Sequence, residues 1–442
     1  MGVKQMGCRA LILVLMLLSG HLWAGPAIQS WTTEKGARVL FVPAPELPML
    51  NLRVVFDGGS AREAIPGVAS LTNSLLEEGA GDWDADEIAQ RLDSVGADMS
   101  VGSQRDMAWL TVRTLTEKRA LTMTLDTVAQ VLGAPRFDPA DLERNRKAML
   151  VSLNHDEQSP GTLAQRTFMH TLFGDHPYAS QMEGTRESLA RITREDVIAH
   201  YRQFYVAKNA VIAIVGAVQR AEAERLAELV TSGLQPGARV SELPPVAQRE
   251  SAQSLTLQFP SSQSHILMGQ PGMHRGDPDY FVLYVGNHIL GGSGLVSLLS
   301  EEVREKRGLS YSVYSYFSPM RRNGPFLIGA QTQNAKAQEA LDVIRNTLAR
   351  FIEQGPTEAE LTAAKQNITG GFPLRIASNS KILEYIAMLG FYDLPLDYLD
   401  TFVGKVNSVT REQIRDAFQR RIKPDQLLTV VVGDERQQAP AN

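Results

Sequence analysis

The chain repeats itself. Residues 192–216, from Ile192-Thr-Arg-Glu-Asp to Ala213-Ile-Val-Gly216, align without gaps on residues 409–433, from Val409-Thr-Arg-Glu-Gln to Val430-Val-Val-Gly433, at an offset of 217 residues. Each copy reads as a helix capped by threonine (Thr193, Thr410), a short turn, and an apolar strand ending in glycine. A helix and a strand that recur at this distance are the mark of a duplicated unit. Two similar domains are therefore expected, and 442 residues is more than one ordinary core holds. Between the copies, Gln235-Pro-Gly-Ala-Arg-Val-Ser-Glu-Leu-Pro-Pro-Val-Ala-Gln-Arg-Glu250 has the Pro and Gly content and the lack of periodicity of a linker. The first domain is expected at 28–235, the linker at 236–250, the second domain at 251–436, and a disordered tail at 437–442.

Both halves mix strand and helix signals. In the first, Arg38–Val42 and Leu50–Phe56 read as paired strands around the proline-rich 43–48, and Met107–Arg113 as a strand. Helices are expected from about 67, from about Ala85, over Leu121–Leu132 and over Pro139–Glu157. In the second half, Ser254–Phe259, His265–Gly269, Tyr311–Tyr316 and Phe326–Ala330 read as strands, and Tyr280–Leu290 and Ala337–Gln354 as helices. Strands grouped with helices on one side predict α+β sandwiches.

Composition narrows the function. A hydrophobic content of 43% with 21% charged residues describes a soluble globular chain, and a net charge of −5 gives no basic surplus for nucleic acid. Lys4 and Arg9 precede the apolar run Ala10–Leu18, which is too short to span a bilayer and has the flanks of a secretory signal peptide. Cleavage is expected near Ala24, with Gly25-Pro-Ala27 as a second candidate. The single cysteine, Cys8, would leave with the signal, so the exported chain would have no thiol or disulfide. No later stretch is long and apolar enough for a membrane helix. The periplasm is the expected location if the host is a Gram-negative bacterium.

Two stretches bear on chemistry. In Gly67-Val-Ala-Ser-Leu-Thr-Asn-Ser-Leu-Leu-Glu-Glu-Gly79, Val68, Leu71 and Leu75 form one apolar stripe of a helix, while Ser70 and Ser74 share another face at i, i+4. Small polar residues on a helix face are ordinarily solvated or packed. In the second half, His288-Ile-Leu-Gly-Gly-Ser-Gly-Leu-Val-Ser-Leu-Leu-Ser-Glu-Glu-Val-Arg-Glu-Lys-Arg-Gly-Leu-Ser-Tyr-Ser-Val-Tyr-Ser315 places Arg304 at a helix end and Tyr311, seven residues on, at a strand start. An isolated pair of this kind is a surface arginine and an ordinary strand tyrosine. A fork of guanidinium donors and a phenolic hydroxyl on rigid elements are also what stabilises a developing oxyanion. Gly291-Gly-Ser-Gly294 lacks the following lysine of a phosphate-binding loop and reads as a tight helix entry. Of the histidines at 155, 170, 176, 200, 265, 274 and 288, none forms H-x-x-H or H-x3-H, and each is assigned to surface or packing.

Taken with His176-Pro-Tyr and the following Gly184, Ser188-Leu and Ile192-Thr positions, these stretches resemble the M16 (pitrilysin-like, inverted zincin) metallopeptidases over essentially the whole exported chain. The resemblance implies two similar α+β domains forming half of a clamshell. In that family the helix reads G-x-A-H-x-x-E-H, so Ser70 and Ser74 stand at the histidine positions and Asn73 at the glutamate position. The third ligand, a glutamate on a later helix, falls at Val151 or Ser152 here, with Glu157 more than a turn away. Serine hydroxyls and an amide are poor zinc ligands, and Asn73 cannot serve as a general base. Arg304 and Tyr311 match the family's arginine–tyrosine pair, which reaches across to the zinc site from the other half.

The resemblance implies a subunit inactive alone. Such a chain binds no zinc itself and pairs with a zinc-bearing M16 partner to close on an extended peptide. Arg304 and Tyr311 would complete the partner's active site. The alternative is a peptide-binding or scaffold subunit with no part in catalysis, and the intact pair argues against it. An active enzyme with an unrecognised metal site is a third possibility.

Overall fold

The computed structural model describes residues 27–434, and the expected signal peptide and tail lie outside them. Two sheets of one plan carry the chain. The first is built from β1 (Gln29–Thr32), β2 (Arg38–Pro43), β3 (Met49–Phe56), β6 (Asp98–Ser103), β7 (Ala108–Leu115) and β8 (Ala210–Gly216), in the order β1-β2-β8-β3-β7-β6. The short strands β4 (Gly79–Ala80) and β5 (Trp83–Asp84) pair separately. The second sheet holds β9 (Gln253–Gln258), β10 (Gln263–Pro271), β11 (Ser310–Phe317), β12 (Pro325–Gln333) and β13 (Leu428–Gly433), in the order β9-β13-β10-β12-β11. In each, one parallel pair (β2 with β8, β9 with β13) is followed by antiparallel strands.

The internal repeat is structural. Helices Arg194–Phe204 and Arg411–Arg421 lie 217 residues apart, as do the short turns Ala207–Asn209 and Pro424–Gln426, and β8 and β13 follow them. Both helices open on reciprocal caps. Thr193 accepts from the Asp196 amide while the Asp196 side chain accepts from the Thr193 amide, and Thr410 and Gln413 do the same.

One expectation is corrected. β2 and β3 do not pair with each other, because β8 lies between them, parallel to β2 and antiparallel to β3. The sequence of β8, Ala-Val-Ile-Ala-Ile-Val-Gly, is apolar on both faces, which suits a central strand better than an edge.

Both faces of β8 and β2 are covered, but by different halves of the chain. Val39, Phe41, Ile212 and Ile214 pack into the first half's own core. Leu40, Val42, Ala213 and Val215 pack with Leu383, Ile386, Ala387 and Phe391, on a helix of the second half, Asn379–Phe391. The exchange is reciprocal: helix Pro160–Phe173 of the first half sets Phe168, Leu172 and Phe173 against Leu428, Val430 and Val432 of β13. Each buried Leu or Phe is worth roughly 2 kcal/mol, so the halves are bound by their cores. Gly390 permits the close approach: a Cβ there would lie 2.5 Å from Val211 Cγ1 and 2.6 Å from Leu40 Cδ1.

A buried carboxylate ties the same junction. Asp106, in the β6–β7 turn, accepts from the hydroxyls of Tyr178 (2.7 Å) and Tyr392 (2.9 Å) and from the Arg321 amide (2.7 Å). It thus joins one group of its own half to two of the other.

Candidate functional site

The helix over the expected zinc position spans Val68–Ser74 and packs on helices Arg194–Phe204 and Pro139–Asp156 and on β6 and β7. Gly67 enters it at φ +94°, a conformation that favours glycine. The three residues at ligand and base positions are all engaged elsewhere. The Ser70 hydroxyl donates to the Met182 carbonyl (2.9 Å), and that of Ser74 to the carbonyl of Ser70 one turn back (3.0 Å). Asn73 is 2% exposed, and its Oδ1 accepts from the hydroxyl of the fully buried Tyr205 (2.9 Å).

The third position is no better. Val151 is 68% exposed, Ser152 is exposed, and Glu157 lies beyond the helix end in an ion pair with Arg186 (2.7 Å). Among the described residues no group of three or more His, Cys, Asp or Glu side chains could hold a metal ion. Zinc does not fit this donor set.

A carboxyl that sequence reasoning missed holds the helix entry. Glu63 Oε2 accepts from the amides of Gly67 (3.0 Å) and Ala69 (3.2 Å), and Oε1 from the Ser180 hydroxyl. Burial pushes its pKa up to about 8, against the opposing pull of those hydrogen bonds. Glu77, at the far end of the segment, is likewise raised to about 7 by burial and by neighbouring Glu78. Tyr205 was missed too, although a signal exists: it stands where the other copy of the repeat has Ile422. A polar group in one copy of an apolar repeat position points to a local partner, here Asn73. His200 stands opposite Ala417 in the same way; its Nε2 meets the Gly58 carbonyl (3.1 Å), and burial lowers its pKa to about 4, so it is neutral at pH 7.

Arg304 and Tyr311 come together. Arg304 lies in a π-helical turn, Ser300–Glu305, and Tyr311 in the outer strand β11, at the irregularity between Ser310 and Ser312 where the pairing with β12 shifts. Such a bulge re-aims a side chain, and Tyr311 is 82% exposed. The guanidinium carbon of Arg304 sits 4.8 Å from the centroid of the Tyr311 ring, a cation–π stack, and Nη1 reaches the Tyr311 carbonyl (3.4 Å). The neighbouring Glu302 fixes the turn, accepting from Arg307 (2.7 Å) and Arg350 (2.9 Å), which hold its pKa at about 2. No hydrogen bond, ion pair or ring contact joins the pair to Ser70, Asn73 or Ser74 among the described residues. The two features belong to opposite halves.

Duplicated sheets, a ligand-free helix in the zinc position and a stacked arginine–tyrosine pair define the class: the chain belongs to the M16 peptidase family and lacks that family's zinc-ligand set. The model for the insulinase-type M16 peptidases matches residues 38–186, and that for the peptidase M16 inactive domain matches residues 191–368. A crystal structure described as a peptidase M16 inactive domain from Pseudomonas fluorescens is similar at a TM-score of 0.90 and 38% identity, covering 94% of this chain and all of that one. Among curated relatives, the non-peptidase homolog YmxG of Helicobacter pylori is 25% identical over 397 residues, 88% of this chain and 90% of that protein. An uncharacterized zinc protease of Streptomyces coelicolor is 26% identical over 415 residues, 92% of this chain and 90% of that protein.

Proposed function

We propose that this chain is the non-catalytic member of a two-chain M16 peptidase. It pairs with a zinc-bearing M16 chain and presents Arg304 and Tyr311 to that partner's active site. The observation that carries this is the contrast between the two halves. Ser70, Asn73 and Ser74 are each committed to internal hydrogen bonds, whereas Arg304, on the turn before β11, stacks on Tyr311 of that outer strand, with the tyrosine open to solvent. The partner would supply zinc, two histidines and a glutamate base. This chain would supply donors for the oxyanion of the cleaving peptide bond, and an extended peptide would be held partly by strand addition at a sheet edge. The scaffold alternative gives an exposed, pre-stacked pair no task.

Export to the periplasm belongs to the same proposal, and the N-terminal residue of the secreted protein tests it. The function is tested by reconstitution. The purified chain alone should bind no stoichiometric zinc and cleave no peptide, and mixing it with an H-x-x-E-H chain from the same source should yield activity greater than either alone. Peptide cleavage and stoichiometric zinc in the isolated chain would overturn the proposal.

A further inference from the structure

A cavity of about 340 Å³ lies in the second half, between helix Tyr280–Asn287, the end of β11 and the end of helix Glu358–Arg375. Arg275 and Arg375 both line it, with Tyr280, Tyr284, Asn287 and Phe317, and no Asp or Glu is among its lining residues. Neither arginine makes an ion pair with a carboxylate among the described residues. The acids nearest Arg275 in sequence, Asp277 and Asp279, are taken by Arg421 and Arg420. Arg275 Nε is sealed from solvent without a hydrogen-bond partner, and the buried Tyr284 hydroxyl lies beside the Arg375 guanidinium.

The sealed Arg275 Nε–H is a donor that wants an acceptor, and the two guanidinium groups have no lining carboxylate to offset their charge. A carboxylate offers two oxygens in the plane that a guanidinium fork matches. The walls fix what accompanies it. Tyr280 and Tyr284 stack at 6.1 Å with an interplanar angle of 7°, and the Arg375 guanidinium carbon lies 6.0 Å from the Tyr284 ring. Asn287 is locked by exchange with Ser315: its Nδ2 donates to the Ser315 carbonyl (3.0 Å) and its Oδ1 accepts from the Ser315 hydroxyl (2.7 Å). His288, also lining the cavity, is held toward its neutral form by burial and by the charge of Arg375, so it adds no third fixed cation.

We propose that this cavity binds a carboxylate joined to an aromatic or apolar side chain, as the C-terminal residue of a peptide presents it. The volume suits one such residue, and paired cations beside aromatic walls suit both of its parts. The site does not depend on the role of Arg304 and Tyr311, and binding by the chain alone tests it whether or not a zinc-bearing partner exists.

The test is calorimetric titration of the purified chain with acetyl-Gly-Gly-Phe as free acid, with the same peptide as its amide, and with inorganic phosphate. The free acid should bind at one site and the amide at least about tenfold more weakly. Arg275→Gln and Arg375→Gln should each weaken the acid about tenfold or more. Tyr284→Phe removes only the hydroxyl beside Arg375 and keeps the ring; it should leave the cooperative unfolding transition in place and still weaken the acid, which guards against an arginine variant that does not fold. Equal binding of acid and amide, or unchanged binding by folded arginine variants, would overturn the proposal. Phosphate binding more tightly than the peptide acid would overturn the assignment to a peptide terminus.

Discussion

Glu63→Gln tests how the helix with serine and asparagine at the zinc-ligand and base positions is held in place. Glutamine keeps the acceptor oxygen that serves the Gly67 and Ala69 amides but cannot ionise. In the folded chain burial raises the Glu63 pKa from 4.5 to about 8. Between those values the folded state keeps a proton that the unfolded chain has released, so stability falls as pH rises, by about 1.36 kcal/mol per unit. The contribution is fully present below pH 4.5 and lost as pH passes about 8. The whole difference is worth about 5 kcal/mol at the upper end. For a cooperative unit of about 400 residues that is about 6 °C in unfolding temperature. Thermal unfolding of both proteins, followed by circular dichroism from pH 4.5 to 8.5, should show coincident midpoints at the acid end and a variant that gains steadily as pH rises. A difference that does not change with pH, or a variant less stable at pH 8.5, would refute the assignment of a buried, protonated carboxyl.

Other outcomes follow from the same structure. Tyr205→Phe strands Asn73 Oδ1 and should cost about 1–3 kcal/mol in chemical denaturation. Gly390→Val drives a branched side chain into Val211 and Leu40 and should cost about 1–3 kcal/mol, read the same way. Asp106→Ala leaves two tyrosine hydroxyls and one amide without their acceptor and should cost about 3 kcal/mol or more. Installing the zinc motif by Ser70→His, Asn73→Glu and Ser74→His should not create a peptidase, because Val151 and Ser152 supply no third ligand; cleavage of a quenched-fluorescence peptide by the isolated triple variant would contradict this.

What the sequence revealed was local. The threonine caps, the 3.6-residue periodicity and the glycine-terminated strand of each repeat all report on a few neighbouring residues, and the helices at 194–204 and 411–421 fall at the offset of 217 that the sequence shows. The closeness of Arg304 and Tyr311 was legible for the same reason, since a helix end and the next strand start bring them together. Long-range choices were not legible. Val39-Leu40-Phe41-Val42 says that both faces of a strand are buried, but not that its neighbour is β8 or that the second face is covered from residues 379–391. Glu63 and Asp106 look like surface acids because the groups that surround them come from distant segments. The ligand-free helix stands between these cases. The absence of histidine was plain in the sequence, while the hydrogen bonds that occupy Ser70, Asn73 and Ser74 involve Met182 and Tyr205, which only the fold brings near.

The central claim is that Arg304 and Tyr311 act on a partner's substrate. The most direct measurement is kcat/KM for peptide hydrolysis by the reconstituted two-chain complex carrying Arg304→Ala, Tyr311→Phe or both, with complex formation verified by size-exclusion chromatography. Loss of an oxyanion donor costs about 3 kcal/mol, on the order of a hundredfold in rate. Each single variant should therefore fall by about that factor while the complex still assembles. Full activity in the double variant would contradict the account.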